Sequence, residues 1–102
     1  MLTMRNTYPY VEGDRFDEAY FVSHHVPLAQ EILSPETIGV RVLKPVALAG
    51  QPLTARMIVE FDFPSREAMG RAVASPRMAE LAADIANYTD TRGTVTLLTG
   101  DE

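Results

Sequence analysis

The two histidines of the chain stand side by side, His24 and His25, inside the stretch YFVSHHVPLAQ at residues 20–30, just ahead of Pro27. An imidazole with its ordinary pKa near 6.5 exchanges a proton near neutrality, so general acid or base work is the chemistry this pair could do. Read as a helix of about 100° per residue, the segment places Asp17, His24 and Glu31 within about 40° of one another. Phe21, Val22, Leu28, Ala29 and Ile32 gather around the direction of His25 instead. His24 is therefore expected among carboxylates on an exposed face and without a role, and His25 in an apolar wall.

Pro27 has no N–H to give the Ser23 carbonyl, and its ring crowds that carbonyl. Val26, before a proline, is pushed away from the helical region. A kink or break is expected around residues 23–26, with His25 beside it. An imidazole there either latches onto a freed carbonyl or faces a pocket as a proton-transfer group; the residues leave both readings open. A metal site is not expected, because the two imidazoles point about 100° apart and no third ligand stands at a zinc-type spacing. No second strong acid or base at a recognisable spacing accompanies His25.

Several elements must position this stretch. Residues 1–8 read as a first strand that ends in the turn signal YPYVEGD. Asp14 is a candidate helix cap, with Asp17 three residues on, and SPE at 34–36 closes the helical segment. From Thr37 to Leu48, Ile38, Val40 and Val42 alternate with Gly39, Arg41 and Leu43, the period of a half-buried strand. After AGQPL, the run ARMIVEFDF sends Met57, Val59, Phe61 and Phe63 one way and Arg56, Ile58, Glu60 and Asp62 the other. Ser65 and Ser75 are placed to cap two helices over about 66–74 and 76–87. RGTVTLLTG reads as the last strand.

The order βαββαβ defines an α+β, ferredoxin-like sandwich: a four-stranded antiparallel sheet with helices on one face. The bare face is expected to carry Arg56, Ile58, Glu60 and Asp62 beside Arg41 and Leu43, either solvated or packed on a two-fold partner. With 102 residues, 46 % of them hydrophobic, one domain is expected over residues 1–102. Cysteine is absent, which removes disulfides, thiolate metal sites and cysteine nucleophiles. A net charge of −5 with mixed signs argues against nucleic acid. No leader-like N-terminus or bilayer-length apolar run is seen, so a cytoplasmic protein with no membrane partner is expected.

The segment FDEAYFVSHHVPLA, with Phe16, Tyr20, Phe21, His25, Pro27 and Leu28 in the frame F-x3-Y-[FWY]-x3-H-x-P-L-A, resembles the signature of EthD-like proteins of the dimeric α/β-barrel superfamily. The resemblance implies protomers paired through their open sheet faces into a homodimer, with a pocket for a hydrophobic, oxygenated small molecule between sheet and helices. It also implies chemistry without metal or organic cofactor, of an isomerase, cyclase or dehydratase type, and His25 as the family histidine. Tyr8, Tyr20, Phe21, Leu28, Arg56, Phe61 and Tyr88 are the candidate substrate contacts. Tyr8 and Tyr88 could each present a phenol to a pocket mouth, and Arg56 could hold an anionic group or form an ion pair across the dimer. A non-catalytic binding or accessory dimer of a catabolic pathway is the alternative.

Overall fold

The structure, a computed structural model, describes residues 1–100. Four strands, β1 (Leu2–Pro9), β2 (Gly39–Leu43), β3 (Ala55–Phe63) and β4 (Thr94–Thr99), form one antiparallel sheet in the order β2-β3-β1-β4. Helices α1 (Glu18–Tyr20), α2 (Val26–Leu33), α3 (Arg66–Val73) and α4 (Met78–Asp84) cover one face. A π turn (Phe21–His25) joins α1 to α2, and a 3₁₀ turn (Ile85–Asn87) follows α4. The α+β, ferredoxin-like order expected from the sequence is the order observed.

Alternation in β3 does what the pattern predicts. Met57, Val59, Phe61 and Phe63 are buried against the helices, with Leu2 and Tyr8 of β1 on the same side. The opposite face is an ion lattice. In register across the sheet, Arg41, Glu60 and Arg5 stand side by side, and Gly39, Asp62 and Thr3 form the next row. Arg5 and Arg41 bond Glu60 at 2.7 and 3.0 Å, Arg41 reaches Asp62 at 2.5 Å, and Thr3 donates to Asp62 at 2.6 Å. Glu60 and Asp62 are thereby buried under their own partners.

Four local expectations are corrected. Asp17, not Asp14, caps α1, its carboxylate accepting from the Tyr20 amide at 3.0 Å, while Asp14 accepts from the Arg15 amide and the Thr91 hydroxyl. β2 ends at Leu43 rather than Leu48, because the chain leaves the sheet at Lys44–Pro45, where proline has no ladder donor; Val46 and Leu48 are left 85 % and 73 % exposed. Ser75 does not cap α4. Its hydroxyl accepts from the Arg77 amide in a turn, and the helix starts at Met78.

The fourth correction concerns Pro27. The helix widens rather than breaks: the Val26 amide donates to the Phe21 carbonyl five residues back, and Val26 keeps helical angles. A π turn relieves the crowding that the proline ring imposes on the preceding turn, and Pro27 then sits at the start of α2, where a missing N–H costs little. Widening also keeps Val26 on the buried side with Phe21 and His25, where a plain α-turn would carry it about 140° from Phe21.

Candidate active site

α4 lies against the π turn and brings a carboxylate to His25. Nδ1 of His25 and Oδ2 of Asp84 are 2.8 Å apart, between residues 59 positions apart in the chain. Asp84 Oδ1 accepts from the Tyr20 hydroxyl at 2.6 Å and from Asn87 Nδ2 at 3.0 Å. His24 is exposed, with Nε2 3.8 Å from the same oxygen and its ring tilted against that of Tyr20, 4.8 Å between centroids. Its neighbour is therefore Asp84, not the expected Asp17 and Glu31: Asp17 caps α1 and Glu31 pairs with Arg77. The π turn resets the helical phase on which that expectation stood.

Burial lowers the His25 pKa below 6.5, and Asp84 pulls it back only in part. Burial alone would raise Asp84, but the bonds from Tyr20, Asn87 and His25 outweigh it and hold the carboxyl below the usual range. At neutral pH the pair is thus a neutral imidazole on a charged carboxylate. Asp84 accepts only, so the ring proton sits on Nδ1 and Nε2 carries the lone pair. Among the described residues Nε2 makes no hydrogen bond. Donation to Asp84 also raises the Tyr20 pKa, which keeps that hydroxyl protonated.

His25 stands in the wall of a cavity of about 250 Å³ between sheet and helices. The sheet supplies Met4, Asn6, Tyr8, Val59 and Phe61; the helices supply Val26, Ala29, Leu33, Met78, Leu81 and Ile85. Beside it, an open cleft of about 660 Å³ shares Asn6, Tyr8, Ala82, Ile85 and Val95 and continues to Thr89–Gly93. The inner wall is mostly apolar with three polar side chains, a common form for a small-molecule site.

The eight residues singled out from sequence fall into two groups. His25, Tyr8 and Phe61 line the cavity. Tyr88 is fully buried behind it rather than at its mouth: its hydroxyl meets that of Tyr8 at 2.6 Å and its ring lies 4.6 Å from the His25 ring. Burial raises both phenol pKa values. Phe21 belongs to the aromatic cluster of Tyr8, Phe16 and Tyr88 and has no exposed surface. Tyr20 is not in the cavity wall and donates its hydroxyl to Asp84, and Leu28 packs on the core away from the cavity. Arg56 turns from the cavity altogether, donating to the Val11 carbonyl and lying over the Tyr10 ring at 4.9 Å.

Asp84, Asn87 and Asn6 were not picked out from sequence. Asp84 follows Leu81 by three residues, at the edge of the apolar stripe of α4, and that misplaced carboxylate was the one available signal. Among the described residues, no group of three or more His, Cys, Asp or Glu could hold a metal ion, and no helix is long and apolar enough to cross a membrane.

The sheet order and the one-sided helices are those of the dimeric α/β-barrel superfamily. A domain model described as "EthD domain" matches residues 13–92. The chain belongs to the EthD family. It is 40 % identical over 87 residues to the "Uncharacterized 11.0 kDa protein in thcB-thcC intergenic region" of Rhodococcus erythropolis, covering 85 % of this chain and 80 % of that one. Among solved structures it resembles an EthD-like protein from Ralstonia eutropha (TM-score 0.85, 30 % identity, 95 % of this chain and 88 % of the other). SnoaB, a cofactor-independent oxygenase from Streptomyces nogalater, shares the fold at 14 % identity (TM-score 0.70, 99 % and 93 % covered).

Proposed function

We propose that this protein binds a hydrophobic, oxygenated small molecule in the 250 Å³ cavity and moves a proton on it through His25, without metal or organic cofactor. The observation that carries the reading is the His25–Asp84 pair at the cavity wall. Asp84 fixes the tautomer and orientation of the ring, which leaves the basic Nε2 as the nitrogen available to a ligand. When Nε2 takes a proton, the charged Asp84 steadies the imidazolium, and return of that proton to another atom of the ligand completes an isomerisation, cyclisation or dehydration. Tyr20 and Asn87 position Asp84. The working form in this reading is a homodimer, closed through the open sheet face of each protomer, where Leu43, Ile58 and Leu98 flank the ion lattice.

A second reading has its own support. The four side chains gathered on Asp84 tie α1, the π turn and the end of α4 together, as a structural latch in a non-catalytic binding dimer would. The test is a comparison of His25→Ala with the parent, on any compound found bound by native mass spectrometry. Acid–base catalysis predicts turnover lower by roughly 10²–10⁴-fold with binding and melting temperature nearly kept. Retained affinity with no product from the parent, and a melting temperature that collapses in the variant, would establish the latch. The same native spectrum reads the assembly: a mass of twice the chain supports the dimer, and a clean monomer removes it.

A further inference from the structure

Three polar side chains reach the inner cavity: His25, Tyr8 and Asn6. His25 Nδ1 is held by Asp84, and the Tyr8 hydroxyl is held by Tyr88 at 2.6 Å and by Asn6 Nδ2 at 3.2 Å. Asn6 Oδ1 is different: it is buried and has no hydrogen-bond partner. In this orientation the NH2 group serves the Tyr8 hydroxyl and the carbonyl oxygen is the end left over. An orphaned buried polar atom in a folded protein calls for an explanation, and a contact made to a bound molecule is one.

Asn6 also borders both the cavity and the open cleft, so it stands where a ligand would pass from one to the other. Gly93 makes that position possible. A Cβ on Gly93 would lie 2.3 Å from Oδ1, so any other residue would displace the amide. Oδ1 is buried against Gly93, so meeting a ligand takes a rotation about the terminal torsion of the asparagine, which is soft.

The geometry points to Asn6 as the residue that selects the ligand, its Oδ1 accepting a hydrogen bond from a hydroxyl on an uncharged aromatic or enolic molecule. This rests on the pocket reading above and adds to it a chemical preference. Asn6 Oδ1 and His25 Nε2, on two residues that line the cavity, are without a hydrogen bond and are both acceptors, so a matching ligand brings donors. Ethers of the same shape leave both acceptors unpaired and are disfavoured. The volume exceeds the roughly 150 Å³ of a cavity that holds benzene and accommodates about two fused rings.

The experiment uses 2-naphthol and its ether, 2-methoxynaphthalene, titrated by their own fluorescence, which the absence of tryptophan leaves unobscured. His25→Ala is the background, so that the imidazole cannot supply the preference. The expected result is about tenfold tighter binding of the naphthol. That preference disappears when Asn6→Leu is added. Equal binding of the two probes in the His25→Ala background, or a preference that survives Asn6→Leu, overturns the role of Asn6 and leaves the pocket intact. Binding of neither probe to the parent protein overturns the pocket reading and this inference with it.

Discussion

His25 and Asp84 act as one unit, and their protonation sets the pH behaviour of the site. The folded pKa of His25 lies below its ordinary 6.5, so between those values the unfolded chain binds more protons than the folded one. The stabilisation is complete above about pH 6.5 and is lost as pH falls through the folded pKa. Asp84, held below 3.8, acts in the same sense at lower pH. We therefore expect imidazole resonances to show His25 titrating below 6.5. Asp84→Asn should push that midpoint lower still, because Asp84 is what raises it. An upward move would show that the carboxylate does not face the ring in solution. Asp84→Asn should also lower any turnover by His25, as the tautomer is no longer fixed, and Tyr20→Phe should do so more mildly because it removes one of several bonds to Asp84.

Among the elements, the short α1 and the π turn carry the site. α1 spans only three residues and relies on its cap, Asp17, together with the Asp17 amide donating to the Tyr88 carbonyl. Asp17→Ala should cost about 1 kcal/mol in denaturant unfolding. Fraying there should also loosen the Tyr20–Asp84 bond, which hydrogen exchange at the Tyr20 and Phe21 amides would report as faster opening. An unchanged exchange rate would mean that the aromatic cluster around Phe16, Phe21 and Tyr88 holds α1 without its cap. The sequence revealed that Pro27 disturbs the helix but not the form of the disturbance. Proline removes a donor by local covalent geometry, whereas the widened turn still gives the Val26 amide a partner, the Phe21 carbonyl, and keeps Val26 buried.

At the scale of the molecule, the open face depends on charge balance. Glu60 would be raised by burial, but Arg5 and Arg41 hold it below the usual range, and Asp62 is held down chiefly by Arg41. Arg41→Glu sets a third carboxylate beside these two buried ones, and the melting temperature should fall by at least about 5 °C. A variant as stable as the parent would show that water reaches both carboxylates when Arg41 is gone. The sequence by itself determined the order of strands and helices along the chain, the buried parity of β3, the mixed face opposite it and the apolar setting of His25. Each of these is written in local periodicity, which the backbone of a strand or helix imposes on neighbouring residues. Only the tertiary structure decided that Asp84 is the partner of His25, that Tyr88 lies behind the cavity, and that Arg56 turns away from it. Those facts come from how α4 packs on a turn 59 residues away and from where packing leaves a void, and neither a long-range contact nor an empty space has a spacing in the chain.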